Sequence, residues 1–209
     1  MIIPLESLLA FFGASLLLAL APGPDNLFVV TQSMVHGVSA GLSVVLGLCT
    51  GLLVHSAAVA LGVAVIFQTS AVAFSILKFV GAGYLVYLAW RSFRASPKSV
   101  GGDSGPTMRR GRLYLRGIFM NVTNPKVSLF FLAFLPQFTS PTAGSIPWQM
   151  VLLGAVFMIQ AAIIFTGIAL FAGTAGRCFL QRPGVSRYLH WAAAGVFAAL
   201  ALRLLVVSR

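Results

Sequence analysis

Two ionisable groups stand alone inside long apolar stretches of this chain, and each sits at a proline. Asp25 follows Pro22-Gly23-Pro24, precedes Asn26, and is the only formal charge between Glu6 and Lys78. Lys126 follows Asn124-Pro125, and no further charge appears before Arg177. Proline lacks an N–H, so Pro22 and Pro24 free the carbonyls of Leu18 and Leu20, and Pro125 frees that of Asn121. The helices that resume at Asp25 and Lys126 present N-terminal N–H groups suited to a carboxylate. Freed carbonyls beside Asp25 suit an ammonium group. Together Pro24, Asp25, Asn26, Asn121, Asn124, Pro125 and Lys126 form a candidate substrate-binding set for a zwitterion, with Pro22, Gly23, Pro24 and Pro125 as the helix breaks. Two plainer readings stay open: kinked helices satisfied by neighbouring polar side chains, and Asp25 as a helix N-cap.

An acid at a helix centre in a bilayer costs about 2.5–3.5 kcal/mol even on the mild insertion scale. Burial and pairing with Lys126 would act on its protonation in opposite directions. Asp25 is therefore a candidate anchor, proton carrier or ion-pair partner. Lys126 lies roughly 16 Å along its span from Leu115 at 1.5 Å per residue, too deep to snorkel easily. His55, fifteen residues into its span, is a coupling candidate or a hydrogen-bonded packing residue. Lys78 is a third coupling candidate, near enough to a span end to snorkel.

These groups must be positioned by helices in a membrane. The 209 residues are 59% hydrophobic and 8% charged, against roughly 25% charged in soluble domains. Windows of about 20 apolar residues predict six spans, at 5–34, 40–67, 71–93, 115–138, 148–172 and 186–207. The net charge of +11 comes mostly from two clusters, Arg91, Arg94, Lys98, Arg109, Arg110, Arg112 and Arg116, then Arg177, Arg182 and Arg187. With six spans all ten fall on one side, which the positive-inside rule makes cytoplasmic and which puts both termini outside. That clustering marks topology, not nucleic-acid binding. Residues 96–112 read as a flexible basic linker between three-span halves 1–95 and 113–209. Three spans per half invert one half relative to the other, and each half opens with a broken span, the pattern of a transporter's solute site. Lys78…Gly83 and His190…Gly195 hint at the same repeat.

Other classes fit less well. Acids number three, and Glu6 and Asp103 lie outside the apolar core, so an enzyme would lack acid–base equipment. A channel would need rings of polar groups, available only in an oligomer, and a passive subunit would not need charged breaks. No metal, cofactor or phosphate-loop pattern is present, and Cys49 and Cys178 read as free thiols. No Lys or Arg precedes the first apolar run, so it reads as a retained helix rather than a signal peptide. Gly37-x-x-x-Gly41 and Gly47-x-x-x-Gly51 permit close helix packing, within one chain or in a homodimer.

Over roughly Leu5 to Arg203 the chain resembles the lysine exporter / homoserine–threonine resistance (LysE/RhtB-type) family of bacterial amino-acid exporters. The resemblance rests on Ala21-Pro22-Gly23-Pro24-Asp25-Asn26, on Leu77 to Leu85 with Gly81-Ala82-Gly83-Tyr84-Leu85, and on Asn121-Val122-Thr123-Asn124-Pro125-Lys126 followed by Leu135-Pro136-Gln137-Phe138. It implies export of small amino acids or derivatives across the inner membrane, coupled to protons or membrane potential. The Asn-Pro-Lys motif resembles the homoserine–threonine branch and implies a neutral substrate such as threonine, homoserine or leucine, with a basic amino acid or another small metabolite as the alternative.

Overall fold

The computed structural model describes residues 3–63, 71–95, 108–174 and 183–206. The expected turn at 68–70, linker residues 96–107, and Arg177, Cys178 and Arg182 lie outside the described residues. Among the described residues every regular element is helical. We number them α1 (Leu5–Leu20), α2 (Pro24–His36), α3 (Val38–Ala58), α4 (Ala71–Phe93), α5 (Arg110–Val122), α6 (Pro125–Leu129), α7 (Ile146–Thr174) and α8 (Pro183–Val206). Val38–Gly62 and Ile146–Thr174 are each long and apolar enough to cross a membrane alone. The α1–α2 pair bends by 54° and the pair Arg110–Val122 with Pro125–Phe138 by 47°; counting each as one broken span gives four. α4 runs for 23 residues and His190–Val206 is a shorter apolar helix.

Both predicted breaks are present, with the expected cause. Gly23 caps α2 in an extended conformation with Pro24 in its first turn, and Asn124 caps α6 before Pro125. The fourth segment differs from expectation at both ends. It begins at Arg110, five residues before Leu115, because the arginines continue its first turns into the basic side. After α6 it winds as a π-helical turn over Phe130–Phe134 and a 3-10 turn over Leu135–Phe138. Pro136 lies in that second turn and withholds the N–H a regular ladder needs; beside it the Gln137 side-chain amide donates to the Ala133 carbonyl at 2.7 Å.

The packing is interleaved. α3 lies against α5, α7 and α2, α1 and α2 lie against α7, and α4 packs on α8. Phe11, Phe130, Phe131, Phe134, Phe138 and Phe157 form a continuous buried ring cluster beside the second break, with successive centroids 5.1–6.2 Å apart. Polar side chains also join the helices. Ser15 on α1 donates to Gln160 on α7, whose amide donates to the Phe12 carbonyl at 3.0 Å. Gln149, fully buried on α7, ties down the 139–145 turn through Ser140 N–H at 2.9 Å, Ser140 carbonyl at 2.8 Å and Gly144 carbonyl at 3.2 Å.

Of the four glycines in the two predicted pairs, Gly41, Gly47 and Gly51 are packing positions within the monomer, while Gly37 is a turn. Its φ of +86° and the open space beside it explain that residue without any partner helix.

Candidate functional site

The seam between α3 and α5 sets the site. A Cβ on Gly47 would strike the Tyr114 carbonyl, and one on Gly117 would lie 2.6 Å from the Val44 carbonyl. The two backbones therefore touch at glycine, as close helix crossings in membranes require. Thr50 and Tyr114 hydroxyls bond across the same seam at 3.1 Å. One turn further along, a Cβ on Gly51 would lie 2.7 Å from both Cβ and Oδ1 of Asn121. A turn beyond that, His55 Nε2 is 3.1 Å from the Asn121 carbonyl. Gly47, Gly51 and His55 recur at four-residue spacing and share the face of α3 that meets α5.

The Asn121 carbonyl is the one that Pro125 deprives of its helical donor. It is resatisfied twice, by Asn124 N–H at 3.0 Å and by His55. A carbonyl only accepts, so His55 donates and Nε2 carries the proton. His55 also lies 5.5 Å, centroid to centroid, from Phe131.

At the first break the carbonyls with side-chain partners are Ala19 and Ala21, neighbours of the expected Leu18 and Leu20. Asn26 Nδ2 reaches back to Ala19 at 2.8 Å, and Lys126 Nζ crosses from the second break to Ala21 at 2.8 Å. The bend of the chain, more than the missing proline N–H groups, exposes these two. Gly23 leaves room for the lysine: a Cβ there would sit 3.2 Å from Nζ. Phe197 of α8 covers the ammonium from another side, 5.8 Å from ring centroid to Nζ.

The two breaks thus meet. Asp25 and Lys126 are 3% and 7% exposed. Asn121 Nδ2 donates to Asp25 Oδ2 at 3.3 Å, and Asn124, Lys126 and His55 stand close enough to act on the same carboxyl. Asp25 and Lys126 are near one another, but among the described residues the hydrogen bonds of Lys126 go to Ala21 and, through its backbone N–H, to Asn124 Oδ1 at 3.0 Å. That last contact alters the expected carboxylate cradle. The N–H groups of Lys126, Val127 and Ser128 are all taken by Asn124, through its side chain or carbonyl. At α2 the geometry differs, since the first N–H groups of a helix have no intrahelical acceptor and its ladder opens with Leu27 N–H to Gly23 at 3.0 Å.

Several buried polar atoms of this cluster have no hydrogen-bond partner: Oδ1 of Asp25, Asn26 and Asn121, and Nδ2 of Asn124, which stands near the Asp25 carboxyl but outside hydrogen-bond geometry. Such groups are costly in a low-dielectric interior. Three are acceptors and one a donor, and Lys126 has ammonium hydrogens beyond the one given to Ala21. Lys78 is not part of these contacts; it is half-buried on α4, its ammonium 5.9 Å from the Phe79 ring.

A groove of about 460 Å³ runs along α2 from Pro24 to His36, its other wall formed by Met108, Arg116 and Met120. Its inner end is the first break. Sequence reasoning did not find the groove, nor Gln32, Ser33 and Gln160, buried polar residues of α2 and α7. The signal available was each amide or hydroxyl inside an apolar run, a cost of the same kind as a charge though smaller.

A helical, multi-pass membrane protein with a polar cluster at two facing helix breaks is the architecture of a translocator. The chain belongs to the LysE type translocator family, which matches residues 16–208. It is 37% identical over 163 residues to the homoserine/homoserine lactone efflux protein of Salmonella typhi, covering 78% of this chain and 79% of that one. It is 33% identical over 130 residues to the leucine efflux protein of Salmonella typhimurium, covering 62% and 61%. An uncharacterized membrane protein of Vibrio cholerae is 29% identical over 177 residues, 85% of each chain. No solved structure matches.

Proposed function

We propose that this protein is a secondary exporter of small neutral amino acids or their derivatives, working across a bacterial inner membrane. The observation that carries the reading is the set of buried, unpartnered polar atoms where the two broken helices meet. A zwitterion supplies what each lacks. Its ammonium has three donors for Oδ1 of Asp25, Asn26 and Asn121; its carboxylate accepts from Lys126 Nζ and Asn124 Nδ2. Pro24 and Pro125 matter by opening the backbone there. The relatives named for homoserine, homoserine lactone and leucine efflux support an amino-acid solute.

Six spans in two inverted halves, 1–95 and 113–209, complete the proposal, with both termini outside and the basic linker inside. Two features support the repeat. The bends of 54° and 47° fall in the first span of each half. The packing exchanges under the same swap: α3 lies on α5 as α1 and α2 lie on α7, and α4 lies on α8. Contact between the breaks also requires both at one level. The 16 residues of α1 and the 13 of α5 measure about 24 and 20 Å along their axes. Their sum exceeds the roughly 30 Å hydrocarbon core, so helices tilt or project. Export follows when the halves rock about the fixed site, with inward protons or membrane potential as the driving force and Asp25 the first coupling candidate, ahead of His55 and Lys78. The protein works as a monomer or as a homodimer in this scheme.

The test is efflux of radiolabelled amino acids from liposomes holding only this protein, with and without an imposed pH gradient. Saturable, gradient-dependent efflux of one or two neutral amino acids is expected. Folded, inserted protein that moves none of them refutes the reading. An Asp25→Asn variant that retains full gradient-driven export would remove Asp25 from the coupling role alone.

A further inference from the structure

We infer that Arg116 is the capture residue for the solute's carboxylate on the cytoplasmic side, a deepening that rests on the transport reading above. Arg116 lies five residues before Asn121 on α5, about 7.5 Å along the axis, in the wall of the groove that ends at Pro24. Its guanidinium carbon sits 4.9 Å from the centroid of the Phe28 ring on α2. Its hydrogen-bond partner is a thioether, Met108 Sδ at 3.9 Å. The chain's acids are three: Glu6 is in the first turn of α1, Asp25 is held by Asn121, and Asp103 lies outside the described residues. Among the described residues no carboxylate meets Arg116.

An arginine stacked on an aromatic face has its plane fixed and its N–H edge turned outward. That edge matches a carboxylate in two-pronged fashion. Set in a groove that reaches Pro24 at the first break, it provides a first cation, and in this proposal the carboxylate passes from it to Lys126. Leu27, Val35 and Met120 make the walls partly apolar, Thr31, Gln32 and His36 are the other polar residues along them, and no acid lines the groove to compete for the cation. The opposing explanation is an interfacial arginine that merely holds a lipid phosphate.

Homoserine and homoserine lactone separate the two, because the lactone has no carboxylate. Initial rates of both are measured in proteoliposomes for the unmodified protein and for Arg116→Gln, Arg116→Met and Arg116→Lys, with Arg112→Gln as a control: Arg112 is exposed like Arg116 and one turn before it on the same face of α5, but does not line the groove. Arg116→Gln and Arg116→Met should raise KM for homoserine about fivefold, the upper range for a partly exposed ion pair, with maximal rate unchanged. KM for the lactone should stay constant, Arg116→Lys should recover most of the loss, and Arg112→Gln should match the unmodified protein. An equal rise for both solutes, or none for either, overturns the assignment and leaves the transport reading standing. Unmodified protein that moves no neutral amino acid overturns both; where it moves one other than homoserine, that amino acid and its methyl ester, which has no carboxylate, take the place of the pair.

Discussion

Gly51→Ala tests whether the site depends on the position of Asn121. The new methyl carbon would lie 2.7 Å from Asn121 Cβ and Oδ1 and 3.0 Å from Cγ. Ordinary carbon contacts begin near 3.5 Å, so the asparagine must withdraw by about 1 Å. Its bond to Asp25 is already 3.3 Å long, and that movement breaks it. A hydrogen bond to a charged group contributes about 1.5–3 kcal/mol, and each 1.4 kcal/mol is about tenfold in affinity or rate. We expect transport efficiency to fall by about tenfold to a hundredfold. Stability should move less. Overpacking costs about 1–3 kcal/mol, while replacing a helical glycine by alanine returns about 1.

Initial rates in proteoliposomes at matched protein, with thermal unfolding in detergent, measure both quantities. Two companions calibrate the result. Gly47→Ala drives its methyl into backbone, which cannot rotate away, so it should lower stability more than Gly51→Ala does. Gly83→Ala meets nothing within 4 Å and should be neutral or stabilising. If Gly51→Ala acts through Asn121, adding it to Asn121→Ala should cost little more than Asn121→Ala alone. Unchanged transport in Gly51→Ala, or a second full loss in the double variant, would refute the reasoning.

Three further outcomes follow from particular contacts. His55→Gln keeps an N–H for the Asn121 carbonyl and should transport within about threefold of normal, whereas His55→Phe should lose up to about tenfold, the value of one buried hydrogen bond; equal loss in both would instead point to proton exchange at the ring. Asn26→Asp replaces the donor to Ala19 by an acceptor and adds a second buried acid beside Asp25, so it should cost about 2–3 kcal/mol, more than Asn26→Ala, as read by thermal unfolding. A double-mutant cycle of Ser15→Ala and Gln160→Leu should return a coupling of about 0.6–1.7 kcal/mol, the range for polar contacts between membrane helices; zero coupling would mean that the α1–α7 contact does not contribute.

The breaks were legible because proline and charge are each rare in apolar helix, and their coincidence at Asp25 and Lys126 has few structural explanations. The boundaries of α2 and α6 follow from the same local chemistry. The downstream half of the fourth segment was not legible in that way. Pro136 appears in the sequence as part of a motif, but the π-helical turn before it depends on how Phe130, Phe131 and Phe134 pack with Phe11, Phe138 and Phe157. Attention to formal charge also hid the amides. Gln149 and Gln160 are buried in α7, each with hydrogen-bond partners, and neither disturbs the hydropathy profile enough to attract notice.

The α3–α5 seam shows why the rest was out of reach. Gly47, Gly51 and His55 are visible as a four-residue stripe, and Gly117 and Asn121 as another, yet each stripe alone is compatible with many neighbours. Only the pairing gives them meaning: glycine on glycine brings the backbones together, the second glycine admits the Asn121 side chain, and the histidine takes the carbonyl that Pro125 released. Periodicity reports which face of a helix is special, not which helix meets it, because the choice of partner is a long-range packing energy summed over both surfaces. The same limit applied to Lys126. Its depth argued for a polar partner, and Asp25 was the obvious candidate. The ammonium instead bonds the Ala21 carbonyl, an atom exposed by the bend at the other break. In that arrangement one buried carboxylate and one buried ammonium stay close without closing on each other, and a solute carrying both charges has a reason to enter between them.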